Sequence, residues 1–184
     1  MALYGYRLVG AALLDRGMYE GIEADRGALG QAMATVVLSS LAAGIGASGW
    51  QGPRPAALVA IAVIALVTWV AWAVLMNQIG GRLLPTSETR TSTIELMRTI
   101  GFAASPGLLQ VLGVFPRVTV FVFVVSWLWM FAATVVAVRQ ALDYTSTARA
   151  LLVCALALLI CVVVAVVLSA SLGPVLAPDG TALP

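Results

Sequence analysis

Long apolar blocks separated by short polar gaps set the first reading of this chain. The blocks run over about 28–47, 56–80, 94–114, 118–138 and 150–172, each near the ~20 residues that an α-helix needs to cross a ~30 Å hydrocarbon layer. None alternates apolar with polar as a half-exposed strand would. Inside lipid a backbone must pair with itself, so the blocks predict helices. The pattern thus predicts an all-α integral membrane protein with five transmembrane helices.

The first 27 residues are different. Leu3, Tyr4, Leu8, Ala11 and Ala12 recur at helical spacing, and Leu13, Leu14, Met18, Tyr19 and Ile22 extend that surface. Arg7, Asp15, Arg16, Glu20, Glu23, Asp25 and Arg26 are expected to look outward. This segment is too polar to span and predicts one or two amphipathic helices, lying in the interface or packed against the protein's own loops. Its acidic residues give it no look of a cleavable signal peptide.

Among the blocks, 94–114 is the weakest. Ser92 and Glu95 have the spacing of a capping box and predict a helix start. Arg98 follows closely, and Ser105-Pro106-Gly107 interrupts the middle. Proline removes a backbone donor and disturbs the preceding turn, so the third helix is expected to be broken at Pro106. Such a break needs cover from other helices. Gly101 and Ser105, four residues apart, suggest a close packing seam with Pro106 and Gly107.

Composition agrees with the pattern. The chain is 61% hydrophobic and 10% charged, against ~25% charged for ordinary soluble domains. All ten basic residues are arginines, a usage that fits a GC-rich bacterial genome. Arg7, Arg16, Arg26, Arg82, Arg90, Arg98, Arg139 and Arg149 fall on one side of a five-span topology, and only Arg54 and Arg117 on the other. The positive-inside rule then predicts a cytoplasmic N-terminus and an extracytoplasmic C-terminus. With no basic run, nucleic acid is not an expected partner.

Candidate chemistry is sparse. The chain has no histidine, which removes imidazole ligands, Ser–His pairs and imidazole proton relays. The apolar cores hold no Asp or Glu of the kind that ion-coupled transporters place near the midplane. No catalytic residue, metal site or cofactor is expected. Cys154 and Cys161 would lie about 10 Å apart along one helix, too far for a disulfide with each other. Arg98, Arg139, Asp143 and Arg149 form a candidate rim for lipid phosphates or a partner. Arg139 and Asp143, one turn apart, are positioned to pair. Trp69 and Trp72 share a face near the centre of the second block, and Trp127 and Trp129 lie midway along the fourth. All four suggest dense helix packing, or a wall for an apolar partner. Trp50 is placed for the headgroup belt.

Three stretches, "RLVGAALLDRGMYEGIEADRGALGQAM" (7–33), "RTIGFAASPGLL" (98–109) and "VVAVRQALDYTSTARALLV" (135–153), resemble the bacterial branch of the Yip-domain family, relatives of Ypt/Rab-interacting membrane proteins. The resemblance spans about residues 7–170. It implies five helices, a cytoplasmic N-terminus and an outside C-terminus. Eukaryotic members bind prenylated small GTPases, but a bacterial setting and a short N-terminal segment make that partner unexpected here. The family brings no catalytic residues.

The resulting expectation has three parts: residues 1–27 as a cytoplasmic interfacial helical segment, 28–172 as a five-helix transmembrane domain, and 173–184 as a short extracytoplasmic tail. The chain is expected in the bacterial inner membrane as a non-enzymatic scaffold or accessory subunit. It would bind lipids and other integral membrane proteins or a larger membrane complex. The alternative is a small permease or lipid-handling protein with its site at the Pro106 break.

Overall fold

The computed structural model describes residues 2–86 and 92–176, and among them every regular element is helical. In order these are α1 (Ala2–Ala12), α2 (Arg16–Ala24), α3 (Ala28–Ser48), α4 (Pro55–Met76), α5 (Thr93–Ala103), α6 (Thr119–Ala141) and α7 (Thr147–Leu176). A wide π-helical stretch, Asn77–Leu83, extends α4, and a 3-10 helix, Ser105–Val114, follows α5. Arg90, the side chain of Trp50 and tail residues 177–184 lie outside the described residues.

Among the described residues, four helices are long and apolar enough to cross a membrane: α3, α4 with its extension, α6 and α7. The segment expected at 94–114 is divided instead. Its start is as predicted, because Ser92 Oγ accepts from Glu95 N at 3.3 Å while Glu95 Oε2 accepts from Ser92 N at 2.7 Å. The α-helix stops at Ala103, and the 3-10 helix begins with Pro106 in its first turn.

Small residues decide how closely these elements approach. Ala32, Ser39 and Gly46 recur every seventh residue along α3. Along the same line sit Gly101, Gly107 and Gln110 of α5 and the 3-10 helix. A Cβ on Gly101 would lie 2.7 Å from Ala32 Cβ, and one on Gly107 only 2.0 Å from Ser39 Oγ. A Cβ on Gly46 would lie 1.9 Å from the Gln110 carbonyl oxygen. Long 3-10 runs are uncommon because their hydrogen bonds are poorly aligned. This one is clasped between α3 and α6, and Gly107 and Gly113 meet Met130 and Phe123 of α6.

The N-terminal pair is part of this core. Tyr19 and Ile22 of α2 are fully buried. Tyr4 meets Phe102 of α5 edge to face, with centroids 6.1 Å apart, and its hydroxyl lies 3.0 Å from Thr35 Oγ1. Arg7, expected to look outward, is buried. It donates to Asp25 Oδ2 at 2.6 Å and to Gln31 Oε1 at 3.0 Å. The outward stripe of α1 is Leu3, Tyr6, Val9 and Leu13, all exposed. Tyr4, Leu8 and Ala11 of the expected apolar face do turn to the core, but Arg7 joins them there while Leu3 turns outward with Tyr6 and Val9.

Glycine substitutions separate contact from propensity. Gly46→Ala should lower stability in detergent by about 1–3 kcal/mol, because a backbone carbonyl occupies the space that the methyl needs. Gly21→Ala, whose Cβ meets nothing within 4 Å, should raise it by about 0.5–1 kcal/mol through helix propensity. Thermal unfolding followed by circular dichroism measures both.

Candidate functional site

One end of the bundle gathers the C-termini of α2, α4 and α6 with the N-termini of α3, α5 and α7. Here lie all four residues of the expected rim, in different roles. Arg98 is buried, and its guanidinium donates to the Glu23 carbonyl in the last turn of α2. It thereby caps a helix end whose carbonyls lack intrahelical partners. Glu95 Oε1 lies 3.9 Å from the same guanidinium, while Arg98 Nε has no acceptor among the described residues.

Arg139 closes the turn between α6 and α7. Its Nε donates to Tyr144 O at 3.1 Å, one terminal nitrogen to Thr145 O at 2.9 Å and the other to Thr147 Oγ1 at 2.9 Å. Its fork is thus spent on the turn rather than on Asp143, the partner expected from spacing. Asp143 is exposed and left-handed at φ 51°. It occupies the position after α6 where glycine is usual, while Tyr144 N reaches back to Arg139 O. Arg149 is exposed on the first turn of α7.

Residues outside the expected rim complete the site. Glu23 is half-buried, and its carboxyl is pushed from an ordinary 4.5 up to about 7. Burial is the largest cause, followed by repulsion from Asp143, Glu95 and Glu20, with Arg98 opposing them. Glu20 also accepts from Gln140 Nε2 at 2.8 Å, fastening α2 to α6. The Tyr144 hydroxyl lies 2.8 Å from both Gly80 O and Leu84 O, sharing its proton between carbonyls at the end of the π-helical stretch. Sequence spacing signals none of these partners, although Tyr4, Arg7, Leu8 and Ala11 do share the i, i+3, i+4, i+7 face that marks Arg7 as inward.

The expected seam, Gly101, Ser105, Pro106 and Gly107, is buried throughout. Ser105 Oγ has no partner among the described residues. Beside it, walls from α3, α4, α5 and α6 enclose an apolar cavity of about 690 Å³, reaching Ala103 and Ala104 just ahead of the break. Trp69, Trp72 and Trp127 line it. Trp69 Nε1 is buried without an acceptor among the described residues. Trp129 faces elsewhere, donating to Ala12 O at 2.7 Å. Cys154 is buried in α7, Cys161 is exposed, and both are free thiols.

Four long apolar helices around a tightly packed interior define a multi-pass membrane protein. Residues 15–168 match the Yip1 domain, and the chain belongs to that family. No curated protein and no solved structure matches it.

The sign of the Glu23 shift gives a pH prediction. A carboxyl whose folded pKa is raised binds its proton more tightly when folded, so its contribution favours the fold at low pH. That contribution is lost as pH rises through the window from 4.5 to about 7. Glu23→Gln should flatten the pH dependence of thermal stability across this window. Arg98→Ala removes the one opposing cation and should extend the window upward. Melting curves from about pH 5 to about pH 8 test both signs.

Proposed function

We propose that this protein is a non-enzymatic scaffold or accessory subunit of the bacterial inner membrane, binding other integral membrane proteins and lipid. The observation that carries the reading is the outer half of α7. Ala150, Val153, Cys154 and Ala157 form its buried stripe, but every residue from Leu158 to Ser171 is exposed. That is about 20 Å of helix with apolar side chains exposed on all sides. A helix apolar all round belongs in lipid or among other helices.

The proposed topology has five crossings, with the N-terminus in the cytoplasm and the C-terminus outside. The third crossing is α5 with the 3-10 helix. Their rises of about 1.5 and 2.0 Å per residue give about 36 Å together, enough for a ~30 Å hydrocarbon layer. The arginine asymmetry supports this orientation. Residues 1–27 would then sit at the cytoplasmic leaflet, with the apolar stripe of α1 turned to lipid. Exposed Asp143 and Arg149, beside the turn that Arg139 braces, would offer the polar contacts to a partner.

A second reading, lipid handling, is favoured by the cavity beside the Pro106 break. A permease version of it requires water access to Ser105–Gly107, which cysteine labelling at those positions would reveal in a background lacking Cys154 and Cys161.

After mild solubilisation, the wild-type protein should co-migrate with a larger complex on a native gel. Val162→Phe with Val166→Phe, which reshapes the exposed half of α7, should release it without changing helix content. Migration of the wild type alone overturns the subunit reading.

A further inference from the structure

The apolar cavity lies in the middle turns of its walls, away from both polar ends of the bundle. Its floor is closed: Trp69 and Ile100 are each 6% exposed and Ala103 is 1% exposed. Its mouth is open: Trp127, Ile64 and Leu128 are 62%, 64% and 66% exposed. We infer that this cleft holds an acyl chain of a bilayer phospholipid, inserted from the lipid side until it touches Trp69. The inference rests on the lipid-contact part of the reading above.

Three observations favour a chain over other occupants. First, no charged side chain lines the cleft, so nothing there recognises a headgroup. Second, water is a poor filler, since a buried water needs two to four polar partners. The Thr134 hydroxyl in the wall already donates to Met130 O at 2.8 Å, which leaves the Ser40 and Thr68 hydroxyls and the tryptophan indoles in an otherwise apolar lining. Third, α7 does not close the mouth. Leu158 is its one residue at the cleft, and the helix beyond is exposed on every side.

Size and depth agree with this assignment. At about 690 Å³ the cleft is within the ~300–1,000 Å³ of ordinary ligand sites. Left empty, its walls would forfeit the dispersion contacts that a filled interior supplies. At mid-membrane depth, hydrocarbon is the medium that its mouth meets, and an unbranched chain fits between α4 and α6 without any charged group being buried.

Tryptophan emission tests this directly. A variant retaining Trp69 alone, with Trp50, Trp72, Trp127 and Trp129 changed to Phe, is placed in nanodiscs of phosphatidylcholine brominated at mid-chain. Most of the Trp69 emission should be lost relative to unbrominated lipid, and adding Ala65→Phe, which fills the cleft, should restore it. Equal emission in the two lipids overturns the proposal. So does quenching that Ala65→Phe leaves unchanged, because the bromine would then act from bulk lipid. If the four replacements prevent folding, native mass spectrometry of the otherwise wild-type protein decides. A retained phospholipid that Ala65→Phe releases supports the chain. No retained lipid, or lipid retained equally by both proteins, overturns it, as does a lipid-free dimer, which would make a second copy the occupant. Both measurements use the purified protein alone, so their failure is distinct from failure to co-migrate with a complex.

Discussion

Inside a bilayer there is no water to complete a hydrogen bond, so every interruption of a helix must be sealed by the protein itself. This requirement organises the whole structure. The C-terminal carbonyls of α1 are the clearest case. Val9 O and Gly10 O accept from Leu13 N and Asp15 N, and Ala11 O accepts from Leu14 N and from the Tyr19 hydroxyl. Ala12 O is taken by the Trp129 indole. Arg98 serves the end of α2, Tyr144 the end of the π-helical stretch, and Arg139 the turn into α7. The side-chain seals from Tyr19, Trp129, Arg98 and Tyr144 each come from outside the element whose end they complete, so they also hold the bundle together.

The same requirement explains the small residues. A 3-10 helix at depth is tolerable only when other helices cover its backbone. Cover means close approach, which Ala32, Ser39 and Gly46 permit from α3 while Gly107 and Gly113 permit it from the 3-10 helix toward α3 and α6. Methyl-sized changes along this line therefore matter more than larger changes on the outer faces of α4 and α7. Polar sealing and small-residue packing are two parts of one solution to an irregular helical segment.

The apolar blocks made the helices legible because burial in lipid imposes length as well as composition. Boundaries at Ala28, Pro55 and Thr119 fall within a residue of where the pattern changes, and the Ser92–Glu95 cap is local enough to be visible in spacing. The α-helix of this segment ends at Ala103, and Pro106 falls in the first turn of the 3-10 helix that follows. What failed was orientation. Arg7 and Arg98 look like surface charges in sequence, yet both point inward, because their partners Asp25 and the Glu23 carbonyl lie 18 and 75 residues away. Periodicity carries no information about a partner at that distance. The tryptophans divide for the same reason. Trp69 packs inward and Trp127 faces out, while Trp129 finds an acceptor no neighbour in sequence could reveal. The Glu23 environment was equally hidden, being assembled from α2, α5 and the α6–α7 turn.

The indole bond from Trp129 to Ala12 has a further consequence, for the order in which the protein is made. Its two ends are 117 residues apart. When α1 leaves the ribosome, the group that completes its last carbonyl does not yet exist, and it arrives only with α6. Until then that carbonyl is left to water or to a transient partner, because a helix end has no acceptor-matched donor of its own. A helix made well before α6 is thus completed only once α6 is in place.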